Sequence, residues 1–495
     1  MDLPAPLVRS FFWLHRWTGI YVGIMAIVWF ASGIVVHWYA SPEPTDAEAV
    51  RAYGPPLEAK ELADKAPPPG IGGQPYRSAT IRHRGKRLIW QVLLADGRTA
   101  IIDARTGLEL GPIDSGEARL AAAPVAGRDP ADGLVQLVTH YNELYFHQSY
   151  PLPVYRVVFQ APRAVDVYID PATASVVAIV GPRQRVTRMF GGIPHFLDVG
   201  PLHTHRTAWL VILMTLVTAV LISGLTGLVY GIWLLVKQVR DRHTLVPRAW
   251  TVSALLSTGH HWLGIAVGGF VVTWTLSGVL MVWYPQVDPL ADEVARWEGG
   301  GVSRDEFAVS LERALAEGRR GGHALVSALT AKHLVGKPVY EVLYGDGNAS
   351  LIDAVTGRNL SPLTDSLVRA VVQRYLGANP HIARVDFLDH YDPYYFQLHE
   401  RYRPLPVFRV AVNDPDISSP LYIDAERGDL VGRVTGSYRT FRWFGSAVHT
   451  FDFPALLFNP PVWDSVVVGL ALLGALLSGT GLWLGARYLV RASRR

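Results

Sequence analysis

Four apolar runs constrain this 495-residue chain more than any other feature. They cover Trp17 to Trp38, Thr207 to Val236, Trp262 to Tyr284 and Val466 to Leu489. A bilayer core of about 30 Å takes roughly 20 helical residues, so each run is long enough to cross it. No charged residue lies inside the first three, and Arg487 stands only at the end of the fourth. The first run is longer than the roughly 7–15-residue core of a cleavable signal and lacks a small-x-small site, so it reads as a permanent span. Composition agrees, with 49% hydrophobic residues, 18% charged, a mean hydropathy of +0.19 and 15 Trp. Soluble chains carry about a quarter charged residues, and Trp favours membrane interfaces. The formal charge of +4 on 54.5 kDa gives no reason to expect a nucleic-acid partner.

Short-loop charge sets the orientation. Between the second and third runs stand Lys237, Arg240, Arg242 and Arg248 against Asp241 alone; Arg491, Arg494 and Arg495 follow the fourth run, and Arg9 and Arg16 precede or open the first. All three segments therefore belong on the cytoplasmic side. The expected organisation is a stub and first span (1–39), an outside domain (40–205), a second span (206–236), a cytoplasmic loop (237–260), a third span (261–285), a second outside domain (286–460), and a fourth span with its tail (461–495).

The two halves repeat one another. His15-Arg-Trp-Thr-Gly-Ile20 matches His260-His-Trp-Leu-Gly-Ile265, and Ser32-Gly33 matches Ser277-Gly278 in the same register. Further on, His140-Tyr141 matches His390-Tyr391, Pro151-Leu-Pro-Val154 matches Pro404-Leu-Pro-Val407, and His195 matches His449. Ser223-Gly224 is set against Ser478-Gly479, so the offset drifts only from 245 to 255. Each unit is then helix, outside domain, helix, and two crossings per unit make the copies parallel about an axis along the membrane normal. The outside segments carry alternating apolar stretches closed by turn residues, as in Leu88 to Val92, Asp96-Gly97 and Ala100-Ile-Ile102, which read as β-hairpins. The expected fold is a membrane α+β protein: a four-helix bundle built from two tandem repeats, each with a large α+β domain outside.

The hairpins ending Asp103-Ala-Arg-Thr-Gly107 and Asp353-Ala-Val-Thr-Gly357 look like PepSY domains. His-x-Trp-x-Gly opening a span, with Ser-Gly near its far end, resembles the PepSY-associated transmembrane family, and the resemblance covers nearly the whole chain. That family includes inner-membrane ferric-siderophore reductases carrying two b-type haems. The resemblance therefore implies a bacterial inner-membrane protein with cytoplasmic termini and periplasmic PepSY-like domains, acting on a periplasmic ferric-siderophore or other metal chelate.

Ionisable groups at membrane depth point to function. Of 17 His, four occupy repeat-matched span ends: His15 and His260 at the cytoplasmic ends, His195 and His449 near the outer ends. If the halves pack about a pseudo-two-fold axis, each matched pair converges on it. An iron porphyrin with two axial imidazoles needs that arrangement, one haem b in each leaflet. The plainer reading makes these interfacial histidines bonded to headgroups or backbone. His37 lies 22 residues beyond His15, within about 40° of the same helix face, and is a reserve ligand although its repeat position holds Val282. His203 and His205 rank below it. His261 matches Arg16, which favours His260 of that adjacent pair.

Arg188 and Arg442, each seven residues before its matched histidine, are candidate partners for haem propionates, since guanidinium pairs with carboxylate in bidentate fashion. The alternative makes them positive residues at a membrane surface. Trp17 and Trp262 are placed beside a porphyrin edge or, as more usual, as interfacial anchors. A second matched cluster, His140 to His147 and His390 to His399, mixes aromatic and acceptor groups and could contact a bulky chelate. Its alternative is a segment that packs the hairpins, and no metal-ligand spacing supports His147 or His399.

Cysteine is absent, which excludes thiolate metal sites, Cys-held clusters and covalent haem attachment. No G-x-G-x-x-G follows a strand, and the cytoplasmic loop is too short for a flavin or nicotinamide domain. Electrons would therefore come from a separate cytoplasmic reductase or from membrane quinol. Two rivals remain: a haem-free PepSY scaffold or regulator of a secreted partner, and a transporter. A transporter calls for broken helices with polar groups at the midplane.

Overall fold

The computed structural model describes residues 4–68, 75–146, 150–203, 205–241, 251–283, 294, 296–299, 301–322, 325–377, 382–397, 403–413 and 420–494. The chain divides into two compact units. One comprises Met1–Ala40, Arg185–Asp288 and Ser437–Arg495, the other Ser41–Gln184 and Pro289–Gly436.

The first unit is helical. Its four long helices are α1 (Ala5–His37), α2 (Arg206–Arg240), α3 (Val252–Trp283) and α4 (Pro460–Ala492). All four are long and apolar enough to cross a membrane. They outrun the apolar stretches because the helical hydrogen bonding continues through polar flanks such as Arg9 and Arg240. At 1.5 Å per residue each reaches roughly 50 Å. Helix α1 packs on α2 and α4, and α3 packs on the same two, so the helices form a closed ring of four. Small residues allow the close approach: a β-carbon at Gly485 would fall 2.5 Å from Ile20, one at Gly474 2.5 Å from Phe30, and one at Gly224 3.1 Å from Val272.

A hairpin of short helices precedes both α2 and α4. Pro182–Val186 and Gly436–Thr440 lead into π-helical turns at Thr187–Gly192 and Phe441–Ser446, then into Ile193–Phe196 and Ala447–Thr450. From hydropathy alone these residues fall to the outside domains, which were bounded at 205 and 460. In the structure the β unit ends at Gln184 and Gly436, because the hairpins pack on α1 and α3.

The second unit is built of antiparallel strands. β1 (Tyr76–Arg84), β2 (Arg87–Leu94) and β3 (Thr99–Asp103) form a meander, and β8 (Val326–Leu334), β9 (Lys337–Tyr344) and β10 (Ala349–Asp353) form another. The two outside segments are not independent here: β1 pairs with β8, giving one six-stranded sheet ordered β10-β9-β8-β1-β2-β3. At the join Thr80 Oγ1 and Thr330 Oγ1 lie 2.9 Å apart, and Ile81 pairs with Leu329. Sharing a sheet closes two edges that separate domains would leave open. β4 (Leu134–Val138), β5 (Val154–Phe159), β6 (Val165–Ile169) and β7 (Val176–Val180) make a four-stranded sheet in chain order. β11 (Ile382–Leu388), β12 (Val407–Val412), β13 (Leu421–Asp424) and β14 (Leu430–Arg433) make its counterpart.

The Asp-x-x-Thr-Gly sequences close the third strand of each meander. Asp103 Oδ1 accepts from the amides of Arg105 and Thr106, both at 2.9 Å, and Asp353 Oδ1 accepts from Val355 and Thr356 at 2.9 and 2.8 Å. Gly107 and Gly357 then take φ of +73° and +75°, the left-handed backbone that glycine tolerates best.

Candidate functional site

The helical unit brings together both histidine pairs that the repeat singles out. The ring centres of His15 and His260 lie 6.0 Å apart, those of His195 and His449 6.2 Å. His15 and His260 come from α1 and α3, which face each other across the ring of four helices. His195 and His449, expected near the outer ends of the second and fourth spans, precede those spans rather than belonging to them. They sit in the short helices Ile193–Phe196 and Ala447–Thr450. These fold back so that His195 meets Gly33 of α1 and His449 meets Gly278 of α3. From position 15 to position 33 the rise along α1 is about 27 Å, so the two pairs occupy different levels.

The partners of Nδ1 fix the tautomer. Nδ1 of His15 is 2.9 Å from the Ser223 carbonyl oxygen, which can only accept, so Nδ1 carries the proton. Nδ1 of His260 is 3.2 Å from the Leu477 carbonyl and 3.0 Å from Thr480 Oγ1, whose own hydroxyl donates to that carbonyl. His449 Nδ1 lies 3.2 Å from the Trp274 carbonyl and 3.3 Å from Ser277 Oγ. His195 Nδ1 lies 3.2 Å from Ser32 Oγ, which spends its proton on the Trp29 carbonyl. In His15, His260 and His449, each facing a backbone carbonyl, Nε2 is therefore the nitrogen with the lone pair, and the Ser32 hydroxyl admits the same tautomer at His195. Metal-ligating histidines are held this way, their other N–H donated to a backbone or side-chain oxygen.

Backbone anchors finish each seat. Trp29 Nε1 donates to the His195 carbonyl at 3.0 Å, and Trp274 Nε1 donates to the His449 carbonyl. Glycines clear the space beside each ring: a β-carbon would fall 3.4 Å from His195 Cε1 at Gly33, 3.2 Å from His449 at Gly278, 2.5 Å from His15 at Gly227 and 2.8 Å from His260 at Gly481. These glycines, with Trp29, Trp274, Thr226 and Thr480, were not singled out from sequence as parts of a site. The signal was nevertheless present, in Trp29-Phe-Ala-Ser-Gly33 against Trp274-Thr-Leu-Ser-Gly278 and in Thr226-Gly227 against Thr480-Gly481. The contacts equate Ser223 with Leu477, one residue away from the Ser223-Gly224/Ser478-Gly479 alignment, a step of 100° around a helix.

Other expectations are corrected. Arg188 and Arg442 do not stand ready for propionates, since each is buried and ion-paired within its own hairpin. Arg188 pairs with Asp198; Arg442 Nη1 lies 2.6 Å from Asp452 Oδ1, and its Nη2 donates to the Asp452 carbonyl at 2.6 Å. Ser446 Oγ donates to the other Asp452 oxygen at 2.9 Å. The seven-residue spacing does not make two regular turns because a π-helical stretch intervenes. Leu197 and Phe451, at φ +52° and +57°, turn the chain after each histidine so that the aspartate returns to the arginine. Such strained non-glycine positions cluster at functional sites.

His37 does not join either pair. Its Nε2 is 2.7 Å from Asp464 Oδ1 on α4, and its ring meets Trp463 edge-on at 4.8 Å. His205 is exposed at the start of α2. The side chain of His203, together with His147, His399, Arg242 and Arg248, lies outside the described residues. Trp17 and Trp262 are exposed on the bundle surface, Trp17 edge-on to Tyr488, as anchors would be. The aromatic clusters pack the β unit: Tyr145 stacks on Tyr168 at 4.6 Å and Tyr395 on Tyr422 at 4.9 Å, and the Tyr145 and Tyr395 hydroxyls donate to the Pro151 and Pro404 carbonyls. Among the described residues no group of three or more His, Cys, Asp or Glu could hold a metal ion.

A bundle of four long apolar helices that converges two imidazole pairs, joined to a β-rich unit, defines a membrane protein of α+β architecture. Residues 12–284 match the profile of the PepSY-associated TM region, and the chain belongs to that family. No curated protein matches the chain.

Proposed function

We propose that this protein is a di-haem b oxidoreductase of the bacterial inner membrane that delivers electrons to a periplasmic ferric-siderophore or other ferric chelate. The observation that carries this reading is the spacing of the paired rings. Two imidazoles holding one iron between them would have ring centres about 6.2 Å apart, from two metal–nitrogen bonds of about 2.0 Å and roughly 1.1 Å from each nitrogen to its ring centre. The ring centres, 6.0 Å apart for His15 and His260 and 6.2 Å for His195 and His449, fit that sum, and an Nε2 lone pair is what the iron would take. His15 with His260 would hold one haem, and His195 with His449 the other.

When bound, such groups supply one-electron carriers at two levels of the bundle. The chain's own residues set the conditions. Ser223, Leu477, Thr480, Ser32, Ser277 and Trp274 hold the rings in the ligating tautomer, and the four glycines admit them between the helices. Apolar helix faces keep water and competing ligands away. Reduction of the substrate's Fe(III) to Fe(II) weakens its binding by hard oxygen donors and frees the metal. The electron donor would be a separate cytoplasmic reductase or membrane quinol, reaching the level of His15 and His260. In this reading the termini are cytoplasmic, lipid surrounds the helices, and the β unit consists of two periplasmic PepSY-like halves of one duplicated repeat.

The test is a visible spectrum of protein purified from haem-replete cells, oxidised and dithionite-reduced, with pyridine haemochrome quantitation. Two haems b per chain, one lost in His15→Ala or His260→Ala and the other in His195→Ala or His449→Ala, are expected. Reoxidation of the reduced protein by a ferric hydroxamate or catecholate should follow within seconds. A colourless preparation would remove the oxidoreductase reading.

A further inference from the structure

The hairpins that carry His195 and His449 are inside-out by the standard of a water-facing element. Between Val186 and Val199 the charged pair, Arg188 with Asp198, is turned inward, while Met189, Phe190 and Phe196 are exposed. The second hairpin repeats the pattern: Arg442 and Asp452 are 1% and 0% exposed, whereas Phe444 is 66% exposed and its counterpart Phe190 is 67%. Water would favour the reverse, with the ion pairs outside and the phenyl rings within. The remaining charges, Arg183, Arg185 and Arg439, stand at the first turns, before the apolar stretch begins, with Arg183 exposed.

The level of the hairpins along the bundle points the same way. Gly191 packs against Val35 and Val36, and His195 against Gly33, so the first hairpin lies beside the last apolar turns of α1. Gly445 packs against Leu280 of α3 in the same manner. Trp209 Nε1 donates to the Phe196 carbonyl at 2.8 Å, and Trp463 Nε1 to the Thr450 carbonyl at 2.7 Å, tying each hairpin to the first turns of the span that follows. A segment beside an apolar span, with its charges buried in pairs and its phenylalanines turned out, meets the requirement of a hydrocarbon environment, where backbone and charged groups must be satisfied internally.

We propose that both hairpins are re-entrant membrane elements whose Phe190 and Phe444 faces contact lipid acyl chains. The occupant of this exposed apolar surface is bilayer lipid, continuous with the lipid face of the spans. The second histidine pair then lies below the membrane surface, shielded from water by the hairpins. This placement does not depend on what the histidines bind.

Because the chain has no cysteine, the test needs only single substitutions: Phe190→Cys, Phe444→Cys and, as a second reporter on the first hairpin, Met189→Cys. Each full-length variant is labelled with a nitroxide and reconstituted in vesicles of phosphatidylethanolamine and phosphatidylglycerol at 3:1. Collision with oxygen is then compared with collision with water-soluble nickel(II) ethylenediaminediacetate. Ile24→Cys, exposed on α1, and Leu108→Cys, exposed on the β unit, give the lipid and water references. The hairpin labels should follow Ile24, with oxygen collisions several-fold above nickel collisions. Labels that follow Leu108 would overturn the proposal. So would labels shielded from both reagents, which would indicate a second copy of the chain on this surface.

Discussion

Gly227 stands so close to the His15 ring that a β-carbon there would fall 2.5 Å from Cε1 and 2.6 Å from Nδ1. Gly481 stands in the same relation to His260, at 2.8 Å from Cε1. Real β-carbons do not approach other atoms that closely, so Gly227→Ala or Gly481→Ala must push the imidazole out of line. A displacement of this size in a seat between packed helices is not absorbed without strain. Under the proposed function each variant should lose the haem assigned to His15 and His260 and keep the other, halving the pyridine haemochrome yield. Gly269→Ala, with open space around the new methyl, should keep both.

The hydroxyls behind the second pair should matter less than the rings. Ser32 and Ser277 accept from Nδ1 and themselves donate to the Trp29 and Trp274 carbonyls. Partners of this kind are worth about 10–100-fold in metal affinity. Ser32→Ala and Ser277→Ala should therefore retain haem but release it about ten-fold faster or more, as measured by transfer to excess apomyoglobin. Release at the wild-type rate would show that these hydroxyls do not orient the ligands.

Much of this site was legible in the sequence, because the repeat supplied symmetry and symmetry pairs equivalent side chains. His15 with His260 and His195 with His449 follow from aligned positions alone. What the alignment could not supply was the path of the chain before α2 and α4. The segments holding His195 and His449 are too short and too mixed in polarity to read as spans, and a π-helical turn shifts every facing relation that a regular helix predicts. Arg188 and Arg442 were misassigned for that reason, since their aspartate partners arrive only after the left-handed turn at Leu197 or Phe451. The shared six-stranded sheet was likewise invisible, because pairing β1 with β8 joins positions 250 residues apart, as Thr80 with Thr330. Asp464, which takes His37 out of the reckoning, has no repeat equivalent to announce it.

The Arg442–Asp452 pair should act as the clasp of the second hairpin. Both groups are fully buried, and the carboxylate also accepts from Ser446. Removing one partner of a buried pair leaves an uncompensated charge, at a cost of about 3–5 kcal/mol. Asp452→Asn should lower the thermal midpoint in detergent by several degrees and loosen His449, with loss of the second haem before the first on heating. Asp198→Asn should cost less, since Asp198 keeps partial access to solvent. Replacing the pair together, Arg442→Met with Asp452→Leu, should recover much of the stability, because no charge is then left alone.

His37 offers the sharpest separation between the proposed ligands and their nearest competitor. Its buried ring is tied by Nε2 to Asp464 Oδ1 at 2.7 Å, with Trp38 and Trp463 edge-on at 5.3 and 4.8 Å. The nitrogen a metal would need is already engaged with a carboxylate on α4. Moving it to an iron would break that bond and leave the carboxylate behind. His37→Ala should therefore keep both haems and both low-spin signals in electron paramagnetic resonance, whereas His195→Ala and His449→Ala should each abolish the same one. Its cost should be in stability alone, about 1–2 kcal/mol for the lost hydrogen bond and ring packing, moderated because Asp464 is partly exposed and can be rehydrated. Loss of a haem in His37→Ala, with retention in either His195→Ala or His449→Ala, would transfer the ligand role to His37 and break the symmetric assignment.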